Sequence, residues 1–242
     1  MNKIVAAIAS LALLGAVGMG AASAGDKSPV VVELFTSQGC SSCPPAEAFL
    51  NELAKRDDVV ALEFHIDYWD YIGWKDSFAK PAFTGRQKRY VSSLKGRYAY
   101  TPQMVIEGQT HVVGSHRDEV EDLIRKYRAM AGTEPSITMT RNGDTLAVTV
   151  GASDGMKSAY EVTLVTYDKP HVTEVRRGEN RGRTLTNSNV VRELVPLGTW
   201  SGKAETYKVS LAGKEGDGGC AILVQKRGLG PVIAAAKMPF ER

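Results

Sequence analysis

Cysteine is scarce in this chain. Three of its 242 residues are cysteines, too few for a small scaffold held together by disulfides, and two of the three stand together as Cys40-Ser41-Ser42-Cys43. Only Cys220 and four histidines, His65, His111, His116 and His171, remain as soft ligands. They contain no second short-spaced pair, which argues against a closed four-ligand zinc site. Charge is nearly balanced, with 30 Lys and Arg against 27 Asp and Glu and a formal net charge of +3, so composition gives no reason to expect nucleic acid as a partner. Beyond the first two dozen residues no run approaches about twenty continuous apolar positions, so no membrane span is expected after processing. Internal repeats and low-complexity tracts are missing as well.

The first residues read as a leader. Lys3, the apolar and small-residue stretch from Ile4 to Met19, and Ala22-Ser23-Ala24 before Gly25 read as a secretory signal peptide over residues 1–24. No cysteine follows the cleavage point to carry a lipid, and no Arg pair precedes the apolar stretch to mark the twin-arginine route. The expectation is a periplasmic or secreted protein, soluble after cleavage, in an oxidising compartment where a disulfide persists. The remaining chain is long enough to bury a substantial core without staples.

Periodicity divides the rest in two. The apolar run Val30 to Phe35 leads into the cysteine pair, and Pro44 to Arg56 reads as a helix. Val59 to Ile66 reads as a buried strand parallel to the first. Tyr68, Trp69, Tyr71 and Trp74 crowd a loop, and Lys75 to Lys95 reads as a helix interrupted by Pro81 and Gly85. Met104 to Ile106 and Thr110 to Val113 flank a tight turn at Glu107-Gly108-Gln109. Val120, Leu123, Ile124 and Tyr127 then recur at helical spacing, behind a cap formed by Ser115 and Asp118. From Glu134 onward the pattern alternates, predicting strands over 137–141, 146–150, 160–167, 172–176, 190–194, 206–211, 221–225 and 232–236. Many short strands at near-regular spacing predict a β-sandwich, and the change of period places a boundary at about 132–135.

Two cysteines separated by two residues at a helix start can close a small disulfide. The first sulfur then lies where unpaired N–H groups and the positive dipole end favour its thiolate. Spacing alone leaves open half of a zinc site, a structural staple or a redox pair. On the redox reading Cys40 attacks as the more exposed thiolate and Cys43 resolves the mixed disulfide.

The order strand, Cys-x-x-Cys helix, strand, helical segment, two strands and helix over residues 30–131 resembles the thioredoxin fold. Thr101-Pro102, directly before Gln103-Met104-Val105-Ile106, matches the place where thioredoxin-like proteins carry a cis-proline that exposes the preceding backbone to an extended substrate. The resemblance makes Pro102 and Thr101 site residues. It also makes Glu33 a candidate proton acceptor, offset by one residue from the buried acid of thioredoxin; the alternative is a strand-end carboxylate facing water. The Ser-Ser spacer departs from the Gly-Pro common in thioredoxins and leaves the direction of electron flow open. The whole mature chain resembles a family of exported bacterial proteins that carries only a domain-of-unknown-function label. The segments that carry this are ELFTSQGCSSCPPAE, HIDYWDYIGWKD, YTPQMVI and GENRGRTL. The resemblance implies an α/β thioredoxin-like domain over 28–132 followed by an all-β sandwich-like domain over 134–242, with no activity to carry over.

Further candidates follow the second strand, at the sheet end where α/β sites form. Trp69 and Tyr71 are read either as a hydrophobic platform for a protein substrate or as a packed loop, and His65 either as a proton donor or as a hydrogen-bonded core histidine. Arg176 to Arg183 is the densest charge run; it is either solvated or able to bind a carboxylate or phosphate. Cys220 reads as a buried small hydrophobe, with a disulfide relay as the alternative. The function expected is thiol–disulfide exchange with protein thiols or disulfides, without a cofactor, the electrons being supplied or removed by a separate membrane partner. Two other classes stay open: a copper-binding module that adds His65 or Met104 to the cysteine pair, and a binding protein in which Cys40–Cys43 is a permanent staple, although so short a loop stabilises little by chain entropy.

Overall fold

Two runs near the start of the chain, Val30–Thr36 and Val59–His65, are buried at every position, as strands are when both faces of their sheet are covered. The computed structural model describes residues 21–23, 27–154, 156 and 158–240. The leader expected at residues 1–24 lies outside the described residues, apart from the backbone of Ala21–Ser23. In chain order the elements are β1 (Ala21–Ser23), β2 (Val30–Thr36), α1 (Pro44–Leu53), β3 (Val59–His65), a single 3-10 turn (Asp70–Ile72), α2 (Pro81–Ser93), β4 (Gln103–Ile106), β5 (Thr110–Val113), α3 (Arg117–Met130), β6 (Ile137–Asn142), β7 (Thr145–Val150), β8 (Tyr160–Tyr167), β9 (His171–Glu174), β10 (Thr184–Asn187), β11 (Val191–Trp200), β12 (Glu205–Ser210), β13 (Gly219–Lys226) and β14 (Val232–Pro239). Among the described residues no helix is long and apolar enough to cross a membrane.

The first sheet has the order β3-β2-β4-β5, with β2 parallel to β3 and antiparallel to β4. Alternation along β2 sends Val30, Val32 and Leu34 to one face, where they pack on Ala46, Phe49, Leu50 and Leu53 of α1 and on Val120 and Ile124 of α3. Val31 and Phe35 point to the other face and meet Phe83 and Tyr90 of α2. The helix expected to break between residues 75 and 95 is continuous from Pro81, because a proline in the first turn lacks only an N–H that would have had no partner. The cap expected from Ser115 and Asp118 does not form: His116 is the N-cap of α3, without a side-chain bond. In the β4–β5 turn, Gly108 has φ of 62°, and a Cβ there would come within 2.6 Å of the Gly230 carbonyl oxygen, so the turn requires glycine.

The second sheet, β11-β8-β13-β14, is apolar on both faces. Along β13, Ala221 and Leu223 join Val165, Tyr167 and Ala235 in a core shared with the first sheet. Cys220, Ile222 and Val224 face the opposite way, onto Ile137, Met139, Leu146 and Val148 of a third sheet with the order β1-β6-β7-β12. β9 and β10 make a two-stranded fourth sheet, and β10 lies just past the charge run Arg176 to Arg183.

This arrangement overturns the expectation of an α/β thioredoxin-like domain followed by an all-β sandwich. Among the described residues fourteen strands in four sheets outnumber three α-helices, and the protein is mainly β. The physical reason lies in the middle sheet. A strand buried from Gly219 to Gln225 cannot leave one face to solvent, so the second sheet must be covered twice, once by the first sheet and once by the third.

A polar bridge crosses the shared core. Glu33 of β2 accepts from Arg86 Nε at 2.6 Å and from Arg86 Nη2 at 2.9 Å. The Tyr90 hydroxyl donates to the same carboxylate at 2.5 Å and accepts from Gln225 Nε2 of β13 at 2.9 Å. All four side chains are buried. They satisfy one another, which is what makes a charge pair tolerable there.

Candidate functional site

The chain leaves β2 at Thr36, turns through Ser37 to Gly39, and enters α1 through the cysteine pair. The Cys40 N–H donates to the Ser37 carbonyl at 3.0 Å and the Cys43 N–H to the Cys40 carbonyl at 3.2 Å, so Cys43 becomes the N-cap of α1. Cys40 and Cys43 are joined by a disulfide, with Cα atoms 5.4 Å apart. Pro44 in the first helical turn starts α1 without an N–H to satisfy. The sequence reading made Cys40 the exposed sulfur, but both residues are nearly covered, 3% exposed for Cys40 and 0% for Cys43. Ser41 and Ser42 are the exposed members of the motif.

The Thr101–Pro102 peptide is cis, and its loop reaches the disulfide. The Thr101 hydroxyl lies 3.2 Å from Cys40 Sγ and receives the Trp69 indole N–H at 2.8 Å. An indole nitrogen can only donate, so Thr101 accepts from Trp69 and its own proton is free to point at sulfur. Ser42 Oγ is 3.4 Å from the same sulfur. Trp69 stacks on Tyr71 with ring centroids 6.5 Å apart, and Tyr71 is 80% exposed. The structure therefore brings Cys40, Cys43, Thr101, Pro102, Trp69 and Tyr71 into one neighbourhood.

Glu33 lies elsewhere, and His65 reaches the cysteine turn only through Asp76, whose Oδ2 also accepts the Gln38 N–H at 2.8 Å. Glu33 is on the α2 face of the first sheet, locked to Arg86 and Tyr90, whereas the cysteine helix packs on the opposite face. It is buried, as the proton-acceptor reading expects, and not the water-facing carboxylate of the alternative, but both of its oxygens are taken up by Arg86 and Tyr90. His65 is fully buried on the α1 face, its Nδ1 2.7 Å from Asp76 Oδ2. Met104 is buried in the core beneath α1. Among the described residues no three His, Cys, Asp or Glu side chains are grouped to hold a metal ion.

The α1 face also carries two buried acids that the sequence reading did not single out. Glu47 accepts from the Thr36 hydroxyl at 2.7 Å, and Glu63 from Asn187 Nδ2 at 2.9 Å. One oxygen of each, Glu47 Oε2 and Glu63 Oε2, is buried without a partner, as is His65 Nε2. Burial pushes Glu47 up to about 7 and Glu63 to about 8, only partly offset by the nearby His65 charge. Burial alone would lower His65, but Asp76 and the two glutamates outweigh it and lift His65 to about 9. Asp76 is held below its ordinary value, because His65 and two backbone N–H groups overcome its burial. The result is an Asp76–His65 ion pair beside two carboxyls whose ionisation is delayed by burial towards neutral pH. A signal for both acids was available. Glu47 interrupts the apolar stripe of α1, and Glu63 shares a face with His65 two residues on in a strand whose other positions are apolar.

The second half of the chain grips the cysteine turn. Asn180 Nδ2, from the charge run, donates to the carbonyls of Gln38 and Cys40, each at 2.9 Å. The Gln38 side chain donates to Thr173 Oγ1 of β9 at 3.1 Å and accepts from Trp74 Nε1 at 3.0 Å, while its backbone N–H donates to Asp76 Oδ2 at 2.8 Å. Cys220 is fully buried in β13, and burial pushes its thiol up to about 12. In that state it is inert.

A family model described as "Protein of unknown function (DUF1223)" matches residues 31–225, a span that holds every residue of this site. A crystal structure of protein AGR_C_4864 from Agrobacterium tumefaciens is similar to 86% of this chain, and 93% of that chain is covered, at 31% sequence identity and a TM-score of 0.75. No curated protein matches.

Proposed function

The chain belongs to the DUF1223 family, whose description assigns no activity, and from that premise we propose that Cys40 and Cys43 exchange disulfides with the thiols of other proteins. One observation carries the reading: the donor chain from Trp69 through the Thr101 hydroxyl to Cys40 Sγ, at 2.8 and 3.2 Å. A hydroxyl aimed at sulfur adds little to a permanent disulfide. It stabilises a thiolate, and a donor polarised by a second donor does so more strongly.

In the oxidised protein a substrate thiolate attacks Cys40 Sγ, the Cys40–Cys43 bond breaks, and Cys43 leaves as a thiolate that takes up a proton. A second substrate thiolate then attacks the substrate sulfur of the mixed disulfide, and Cys40 leaves as a thiolate. Two electrons pass from the substrate dithiol to the pair. The same steps in reverse reduce a substrate disulfide. Glu47 stands four residues after Cys43, one helical turn away on the same side of α1. With its carboxyl raised to about 7, it is the acid suited to exchange a proton with Cys43. The approach to sulfur is over the exposed Ser41-Ser42 spacer, with Trp69 and Tyr71 as a flanking aromatic ledge. The leader expected at residues 1–24 would deliver this chemistry to an oxidising compartment, where a separate membrane partner sets its direction.

The near-complete burial of both sulfurs favours a second reading, in which the bond is a permanent staple. Cys43→Ser separates the two. On the exchange reading it accumulates protein partners bound through Cys40 as disulfides sensitive to dithiothreitol, and Cys40→Ser/Cys43→Ser accumulates none. Equal, empty traps from both variants would leave only the staple.

A further inference from the structure

The run Arg176-Arg177-Gly178-Glu179-Asn180-Arg181-Gly182-Arg183 reaches the cysteine turn through Asn180, whose amide bonds the Cys40 carbonyl. Arg181 follows directly, one peptide step or about 3.8 Å from it. The run is an ordered turn. Gly182 N–H donates to the Val175 carbonyl at 2.8 Å, Arg183 N–H to Asn180 at 3.0 Å, and Val175 N–H to Arg183 at 3.0 Å. Gly178 has φ of 76° and packs on Trp74, whose Cβ would lie 3.1 Å from any Cβ placed there. All four arginines of the run are exposed, as is Lys75 beside Trp74. Among the described residues the arginines in ion pairs are Arg56, Arg86, Arg117, Arg125, Arg128 and Arg192; those of this run are not among them. Glu179 is the one acid inside the run.

A chain that is nearly neutral as a whole thus concentrates exposed arginines on the turn that holds the Cys40 carbonyl. We infer that this turn selects acidic polypeptide segments as the thiol substrates of Cys40–Cys43. The inference rests on the exchange reading and adds the charge class of the substrate. Guanidiniums bind carboxylates through paired N–H groups, and a preordered turn loses little entropy in doing so. Charges of one sign on this turn also speed the encounter of an oppositely charged substrate, an effect that salt screens over about 8 Å at physiological strength.

The test mixes the oxidised full-length mature protein with reduced two-cysteine peptides that are identical except for flanking runs of Glu, Ser or Lys. Exchange is stopped with acid and the thiols are counted by mass. Each peptide rate is divided by the same protein's rate with dithiothreitol. For the wild type, the Glu peptide should exceed the Lys peptide about tenfold at roughly 10 mM ionic strength, and the ratio should collapse at roughly 1 M, where screening shortens to about 3 Å. Comparing wild type with Arg181→Glu/Arg183→Glu cancels the intrinsic reactivity of each peptide, and the double variant should invert the preference. Equal rates for the three peptides at low salt, with normal exchange with dithiothreitol, would overturn the inference and leave the exchange reading standing. A wild-type disulfide that does not exchange with dithiothreitol would remove that reading, and the inference with it.

Discussion

Glu33→Gln separates a structural acid from a catalytic one. Both oxygens of Glu33 are engaged, Oε2 by Arg86 Nε at 2.6 Å and Oε1 by Arg86 Nη2 at 2.9 Å and by the Tyr90 hydroxyl at 2.5 Å. Glutamine supplies one acceptor in place of two and turns an NH₂ towards donors, while the Arg86 charge, only 6% exposed, loses its counterion. Breaking a buried pair from one side costs about 3–5 kcal/mol. In a chain of this length each kcal/mol moves the midpoint by about 2–4 °C, so thermal unfolding should shift down by about 6–20 °C. At a temperature where both proteins are folded, the pH–rate profile of exchange should keep the wild-type shape. Glu33→Leu/Arg86→Met, which removes both charges, should recover most of the loss. A midpoint within about 2 °C of wild type, together with a displaced pH–rate profile, would refute this reasoning and return Glu33 to the proton chemistry.

Other consequences follow from the α1 face and the cysteine turn. Glu47 rises from 4.5 to about 7, Glu63 from 4.5 to about 8 and His65 from 6.5 to about 9. All three bind protons more tightly folded than unfolded, so their contribution is complete below the unfolded values and is lost as pH rises through the folded ones. Urea unfolding should show stability falling between about pH 5 and pH 9, and Glu47→Gln should reduce that fall by about 3 kcal/mol. A stability that rises with pH over this window contradicts the assignment. Asn180→Ala removes the shared donor of the Gln38 and Cys40 carbonyls and should cost about 1–3 kcal/mol. It should also raise the native-state rate at which dithiothreitol opens Cys40–Cys43; an unchanged opening rate would mean that the second half does not brace the turn.

Most elements of the first 130 residues were legible because their signals are local, the unbroken course of α2 from Pro81 being the exception. Apolar runs bounded by turns gave β2, β3, β4 and β5, three- and four-residue spacing gave α3, and the cysteine pair and Pro102 announced themselves by residue type. The layering was not legible: Cys220 to Val224 is a continuous apolar run, the mark of a strand covered on both faces, but which layers cover it is decided by contacts distant in sequence. The site was half legible for a related reason. Glu33 attracted attention as an acid in an apolar strand, but the sequence does not say which face it takes or that Arg86, fifty-three residues on, neutralises it. Glu47 was marked only by its interruption of the apolar stripe of α1, a signal that does not say what the buried carboxyl meets. Asn180 was hidden in a charge run, and its place against Cys40 comes from a contact 140 residues apart.

The most direct test is the equilibrium reduction potential of Cys40–Cys43 in the protein, set by glutathione or dithiothreitol buffers with trapped thiols counted by mass. Because Cys220 is buried with its thiol raised to about 12, two thiols should be trapped under native conditions. The exchange reading predicts a potential between about −270 and −120 mV, the range of working exchange proteins. A value well below about −300 mV would make the bond permanent in an oxidising compartment and contradict the reading.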